Sequence, residues 1–346
     1  MRAVAVTRPG RVELVDVPRP EPTDYEARVK TEVACLCNAT DGKLVAGHFP
    51  GVKDYPLLLG HESVGIVDAV GRKVRSFRLG DRAIGGLLLK PGDPKYASGW
   101  GGFCEYTLVG DHDAMFADGV ARAVHGWLEV HEIQRPVAAD IPVEAAVMLC
   151  TWREVYGGFG DFSLQPHEHI LVFGAGPVGL SFVKFGRLLG LDYIAVVDPL
   201  PHKREKAVAM GADAVFAPDS PELVTELART RQRPLDAVID AVGNPGIANT
   251  ALPWIKLGGS IGIYGVIAEE TITLEKGKGP YNFNLYMHQW PTRCRERAAQ
   301  EPLCEWIRQG KLRAEEFITH EFPVEQIRDA LDEVKRGNVI KALLRY

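Results

Sequence analysis

Along the first 110 or so residues, apolar positions fall in short runs broken by Gly and Pro: RAVAV, ARVKTEVA, SVGIVDAV, RAIGG and EYTLV. With little helical periodicity between them, these runs predict short strands and a mostly β domain. The pattern changes near Ile141. PVEAAVMLCTWREVYGG predicts a helix, and strand-like and helix-like runs then alternate through HILVFG, FVKFGRLLG, YIAVVD, KREKAVAMG, AVFA, ELVTELART, DAVIDAV and SIGIYGV. Alternation of this kind builds a parallel sheet covered by helices on both faces. After about residue 280 it stops. A helical EPLCEWIRQG, a strand-like FITHEFP, a helical VEQIRDALDEVKRG and a last strand, KALLRY, are expected to return to the first domain. Asp111 to Pro136 has no clear period and reads as a loop or insertion.

A chain of 346 residues exceeds one ordinary core, and the pattern divides it into 1–150, 151–290 and a returning 291–346. The net charge of -5, with no basic run, argues against nucleic acid as a partner. No stretch approaches the roughly 18 consecutive apolar residues of a membrane span, and MRAVAVTRPG lacks an apolar signal core, so no membrane partner and a cytoplasmic location are expected. In that reducing setting Cys35, Cys37, Cys104, Cys150, Cys294 and Cys304 are expected to serve as thiols or metal ligands rather than disulfides.

The strand HILVF runs directly into Gly174-Ala175-Gly176-Pro177-Val178-Gly179 and then into an apolar helix. In that order the first Gly permits a tight turn, the second lets the backbone approach a pyrophosphate, and the third lets helix and strand pack closely. The helix N-terminus then faces the phosphate charge. YIAVVD ends at Asp198, nineteen residues beyond Gly179, the position of the carboxylate that binds the adenosine ribose and repels the 2'-phosphate of NADP. NAD is therefore the expected cofactor, with Lys203 and Arg204 close enough to soften the preference. Val242, Gly265 and Val266 fall at strand ends, where open α/β sheets bind ligands, and are expected to line the nicotinamide half of the site.

In the β-rich part stand Cys37 and Gly60-His61-Glu62, and Cys150 precedes the second domain. Thiolates and an imidazole are ligands that zinc prefers, although taken singly each has the plain reading of a core residue. Leu59-Gly60-His61-Glu62-Ser63-Val64-Gly65, Arg78-Leu79-Gly80-Asp81-Arg82, Gly101-Gly102-Phe103-Cys104-Glu105-Tyr106 and Lys341-Ala342-Leu343-Leu344, in order around the phosphate loop, resemble the medium-chain, zinc-containing alcohol and polyol dehydrogenases over nearly the whole chain.

The resemblance implies an α/β protein with a GroES-like, mostly β catalytic domain and a Rossmann, doubly wound cofactor domain. It implies Cys37, His61 and Cys150 as ligands of a catalytic zinc, with Glu62 as a carboxylate that exchanges into the shell or acts as an electrostatic neighbour. Thr40 resembles the hydroxyl residue that hydrogen-bonds the substrate oxygen and begins proton release, and Asp41 helps hold that turn. Three departures stand out. Cys37-Asn38-Ala39-Thr40-Asp41 has one residue more than the family's turn, so either Cys37 or Asn38 takes the ligand position, with Cys37 favoured because a thiolate binds zinc far better than an amide oxygen. Lys43 replaces a relay histidine, leaving Lys43, ribose and water, or His48 as the proton exit. Between Gly85 and Gly102 the four cysteines of a structural zinc are missing, so one zinc per subunit is expected.

The expected reaction moves a hydride between NAD and the carbinol carbon of a small polar alcohol. Thr151, Trp152, Arg153 and Glu154 and the aromatic and amide stretch Tyr281–Trp290 are read either as a surface for a polyol, sugar or cyclitol or, equally, as a domain-hinge surface. A simple or aryl alcohol, a zinc-free enone or quinone reductase and a non-enzymatic nucleotide-binding protein are the alternatives. A homodimer or homotetramer is implied, joined through the edge of the cofactor sheet near Gly259 to Val266.

Overall fold

The computed structural model describes residues 1–229 and 234–346 and divides into two compact units, Met1–Arg153 with Glu296–Tyr346, and Glu154–Arg295. Thr230, the last residue of the helix-like run ELVTELART, lies outside the described residues. Among the described residues no helix is long and apolar enough to cross a membrane.

In the first unit the strands Ile318–Pro323, Lys341–Arg345, Glu26–Leu36, Ser63–Val70, Arg82–Ile84 and Arg135–Val137 form one sheet in that spatial order, and Tyr106–Gly110 also pairs with Glu26–Leu36. A smaller sheet joins Arg11–Asp16, Arg2–Arg8, Leu57–Leu58 and Ala97–Ser98. Val4, Val6, Leu36, Leu57, Phe103 and Leu344, drawn from both sheets and the returning tail, are buried in a single cluster. Glu296–Tyr346 belongs to this first unit. Lys341–Arg345 lies antiparallel to the central strand, with Ala342 opposite Leu36.

The second unit is a parallel sheet in the order Ala214–Phe216, Tyr193–Val197, His169–Phe173, Leu235–Asp240, Ile255–Ile263, Asn284–Met287. Its central strands are apolar runs with little alternation because helices cover both faces, and Ile170, Leu171, Val172, Ile194, Val196, Val238 and Ile239 are all fully buried. The strand order reverses between His169–Phe173 and Leu235–Asp240, the switch point at which such sheets bind ligands.

Three expectations change. Alternation does not end at 280, because Asn284–Met287 pairs with Ile255–Ile263 and completes the sheet. The strand near Gly259 is therefore covered, and the edge is Asn284–Met287. The short helix Thr40–Ala46 interrupts the β-rich part, closed by Gly47 in the left-handed region at φ 78°. Asp111 to Pro136 is ordered: Asp111 is fully buried and accepts hydrogen bonds from the N–H groups of Arg75, Ser76 and Ala114, the last capping the helix His112–Ala117.

Candidate active site

Strand register builds the first half of the site. Cys37 follows the end of Glu26–Leu36, His61 and Glu62 precede the start of Ser63–Val70, and Lys341 opens the last strand. Because Ala34 lies opposite Ser63 and Leu343 opposite Cys35, all four side chains come to one end of the sheet. Ligand atoms of Cys37, His61 and Glu62 lie within 4.8 Å of one another, the only such group of metal-type donors found among the described residues.

Each donor is held from behind. Asp41 is buried, and its Oδ2 accepts the Cys37 N–H at 2.8 Å, while its Oδ1 lies 3.4 Å from His61 Nδ1. The other imidazole nitrogen, Nε2, is 3.8 Å from Glu62 Oε1, so the ring turns one nitrogen to Asp41 and the other into the cluster. Burial opposes a charge on His61, but the Asp41 carboxylate and the Cys37 thiol outweigh it and hold the imidazole's proton affinity well above the ordinary value. The same negative groups would attract a metal cation, which takes the imidazole in its neutral form. Glu62 is buried and receives hydrogen bonds from Lys341 Nζ at 2.7 Å and Thr151 Oγ1 at 3.0 Å, and Lys341 also donates to Thr151 at 3.0 Å.

In the lengthened turn Cys37 joins the cluster, and the Asn38 side-chain nitrogen lies 3.3 and 3.4 Å from the carbonyls of Val339 and Ile340. The extra residue is absorbed as a tether to the segment that precedes Lys341. Cys150 is buried but is not in the donor group, and its sulfur lies 3.9 Å from the Ser63 carbonyl. Thr40 opens the helix after Cys37, Lys43 lies one turn further along it, and His48 is exposed beyond Gly47.

The reading of residues 151–154 as substrate surface is corrected. Trp152 and Arg153 are fully buried, Arg153 donating to Ile133 and Gln300, Thr151 is committed to Glu62, and Glu154 accepts from the Tyr264 hydroxyl. Tyr281–Trp290 contributes the edge strand Asn284–Met287, with Leu285 and Met287 exposed. What lies beside His61 instead is aromatic. The Trp100 ring is centred 5.8 Å from the imidazole, and Phe49 meets Trp100 edge-on at 5.3 Å. Neither ring stands in a motif, so periodicity gave no signal for them. Lys341 had one: a lysine inside the apolar run VIKALL requires a buried partner.

In the second unit Gly174 turns the chain in the left-handed region at φ 98°, Gly176 caps the helix Pro177–Leu188, and Pro177 takes its first position. A Cβ at Gly179 would stand 1.8 Å from the Gly174 carbonyl oxygen, which is why only glycine fits. Val178 is partly exposed at the same helix start. Asp198 is buried and accepts hydrogen bonds from the Ala175 and Leu200 N–H groups, both at 2.8 Å, tying the second strand to the loop. Asp240 organises the neighbouring turn by accepting from the N–H groups of Val242, Gly243 and Asn244. Val242, 49% exposed, lies over Gly174, since a Cβ there would meet it at 2.8 Å. A Cβ on Gly265 would stand 2.0 Å from the Gly243 nitrogen, so the turns carrying Val242 and Val266 are pressed together. Gly179→Ala is expected to weaken binding of reduced dinucleotide at least about tenfold, because the loop must shift to relieve the clash. Titration of cofactor fluorescence checks this, and an unchanged affinity would refute the loop's role.

Two family profiles match the chain: an alcohol dehydrogenase GroES-like domain over residues 23–117 and a zinc-binding dehydrogenase domain over 177–287. The chain belongs to the medium-chain, zinc-type alcohol and polyol dehydrogenases. It is an oxidoreductase of that family, with the GroES-like and Rossmann pair of domains that the resemblance implies. It is 28% identical to an alcohol dehydrogenase of Cupriavidus necator, over 100% of this chain and 98% of that one. It is 26% identical to a sorbitol dehydrogenase of Bombyx mori, over 96% of this chain and 95% of that one. The Escherichia coli alcohol dehydrogenase RspB, solved as a complex with NADH, shares the fold with a TM-score of 0.80 at 22% identity, over 100% of this chain and 99% of that one.

Proposed function

We propose that this dehydrogenase is zinc- and NAD-dependent and oxidises a small polar alcohol, a polyol, sugar or cyclitol, at its carbinol carbon. The observation that carries the reading is the buried-side clustering of Cys37, His61 and Glu62, backed by Asp41 and Lys341. A soft thiolate, an imidazole whose second nitrogen is fixed by a carboxylate and an adjacent carboxylate form a donor set suited to zinc. Cys37, His61 and Cys150 are the proposed ligands, with Glu62 as the neighbouring carboxylate, and the single donor group found among the described residues supports one ion per chain. Bound there, zinc supplies Lewis-acid charge at the alcohol oxygen, and NAD accepts the hydride.

The chain's own residues do the rest. Asp41 fixes the Cys37 backbone and faces the His61 ring. Lys341 and Thr151 restrain Glu62. Thr40, at the first turn of its helix, takes the hydroxyl proton as it gives its own to water, and Lys43 on the same helix releases a proton to solvent as it takes one from that water. Gly174, Gly176, Pro177, Val178 and Gly179 cradle the pyrophosphate, the remaining lone pairs of Asp198 take the adenosine ribose, and Val242, Gly265 and Val266 face the nicotinamide. The likeness to a sorbitol dehydrogenase supports a polyol. A second reading, a simple or aryl alcohol, draws on the Phe49 and Trp100 rings beside His61.

The exposed edge strand Asn284–Met287, with Leu285 and Met287 open to solvent, supports association into a homodimer or homotetramer. A cytoplasmic location accords with Cys37 standing among metal-type donors rather than in a disulfide. The deciding experiment is a panel of polyols, sugars, cyclitols and simple alcohols with NAD and with NADP, followed by absorbance of the reduced cofactor and by metal analysis. Expected are turnover of a polar alcohol, a preference for NAD of about tenfold or more, and loss of turnover in chelated but folded protein. Full turnover without zinc would refute the reading.

A further inference from the structure

Trp100 has no part in the proton, metal or cofactor roles above, yet its backbone is held where a side chain is rarely tolerated. Its φ is 67°, and Gly101 follows at 64°. An aromatic residue keeps a left-handed conformation only where its surroundings fix it, and such outliers gather at ligand sites. Here the surroundings are explicit. Leu88 N–H donates to the Trp100 carbonyl at 2.9 Å, Gly101 N–H to Leu58 at 3.2 Å, and Gly102 N–H to Gly60, the residue before His61, at 2.6 Å. A Cβ on Gly102 would lie 2.9 Å from Gly60 and 3.0 Å from the His61 nitrogen, so the loop is pressed onto the donor turn.

The side chain that this backbone delivers is only partly buried. Phe49 meets it at 83°, fixing the plane of the indole, and the imidazole of His61 lies 5.8 Å away at 60°. A flat, rigid, partly open ring thus stands next to the donors of the proposed metal site, where a substrate hydroxyl would bind. A molecule that fills both needs one hydroxyl at its rim and a broad CH face beside it. A cyclitol or pyranose has that shape, while an open-chain polyol presents only a narrow edge.

We propose that Trp100 is a specificity-determining residue that selects ring-shaped polar alcohols over open-chain ones by stacking its indole on the ring's CH face. The proposal rests on the substrate reading above and narrows it. Its test uses the zinc-loaded full chain, myo-inositol, glucose, sorbitol and benzyl alcohol, and the variants Trp100→Ala and Trp100→Phe. In Trp100→Ala the KM for the ring alcohols is expected to rise about tenfold with kcat held within about threefold, while the KM for sorbitol changes less than about threefold; Trp100→Phe should stay near the parent.

Two further readouts separate stacking from a structural role. Cobalt-substituted Trp100→Ala should keep the parent's thiolate-to-cobalt absorption, and the intrinsic fluorescence change on adding myo-inositol should vanish in Trp100→Phe. Equal losses for ring and open-chain alcohols, an altered cobalt spectrum, or an effect confined to benzyl alcohol would overturn the proposal. If the parent turns over none of the alcohols, the substrate reading fails, and the fluorescence change with myo-inositol still decides the contact: its presence in the parent and loss in Trp100→Phe upholds it, and its absence overturns it.

Discussion

Lys341→Met is expected to destabilise the protein by about 3–5 kcal/mol, because it removes one partner of a buried ion pair and strands the other. Lys341 is 1% exposed and Glu62 5%, and Nζ stands 2.7 Å from the carboxylate. Burial alone opposes the lysine's charge, but Glu62 reverses this and raises its pKa above the usual lysine range. Methionine fills a similar volume, so the loss is electrostatic rather than a cavity. Glu62→Gln in the same chain should recover much of the stability, since a neutral amide next to Thr151 no longer needs a cation. Urea unfolding followed by circular dichroism measures both variants. A shift below about 1 kcal/mol for Lys341→Met would mean that the pair is open to solvent.

This pair also shows where the sequence could be read and where it could not. The two domains were legible because each has its own period: short broken runs for the β-rich part, and continuous apolar strands such as HILVF and YIAVV for the parallel sheet. The phosphate loop was legible because it stands in a strand–turn–helix context, and Gly174, Gly179 and Asp198 meet in one place. Contacts across strands were not. Lys341 is 279 residues from Glu62, and only the pairing of Leu343 with Cys35 brings them together. Trp100 and Phe49 stand beside His61 through loop geometry that no periodic pattern encodes.

The same limit explains the misplaced substrate surface. Thr151-Trp152-Arg153 is adjacent to Cys150 in sequence, but it continues a helix, so successive side chains leave on different faces. The turn directs Trp152 and Arg153 into the core, where an indole and a guanidinium are fully buried. Tyr281–Trp290 combines amides and rings, a composition suited to a pocket and to a sheet edge, and its pairing with Ile255–Ile263 makes it the edge of the parallel sheet.

Cys37→Ala should lower bound zinc from about one ion per chain to a small fraction and turnover by about a thousandfold or more, since it removes one of two soft ligands and leaves His61 and Cys150, beside the Glu62 carboxylate, to hold the ion. Asn38→Ala separates the two readings of the lengthened turn. If the cysteine is the ligand and the asparagine only tethers the turn to Val339 and Ile340, zinc stays bound and turnover falls no more than about tenfold. The tether's contacts are long, at 3.3 and 3.4 Å, and Asn38 Oδ1 has no partner, so little enthalpy is lost with it. The donor geometry does not depend on that amide alone, because Asp41 also fixes the Cys37 backbone at 2.8 Å and faces His61. Metal analysis after gel filtration and steady-state kinetics measure both variants. A chain that loses its zinc on Asn38→Ala and keeps it on Cys37→Ala would invert the assignment and make the extra residue the ligand.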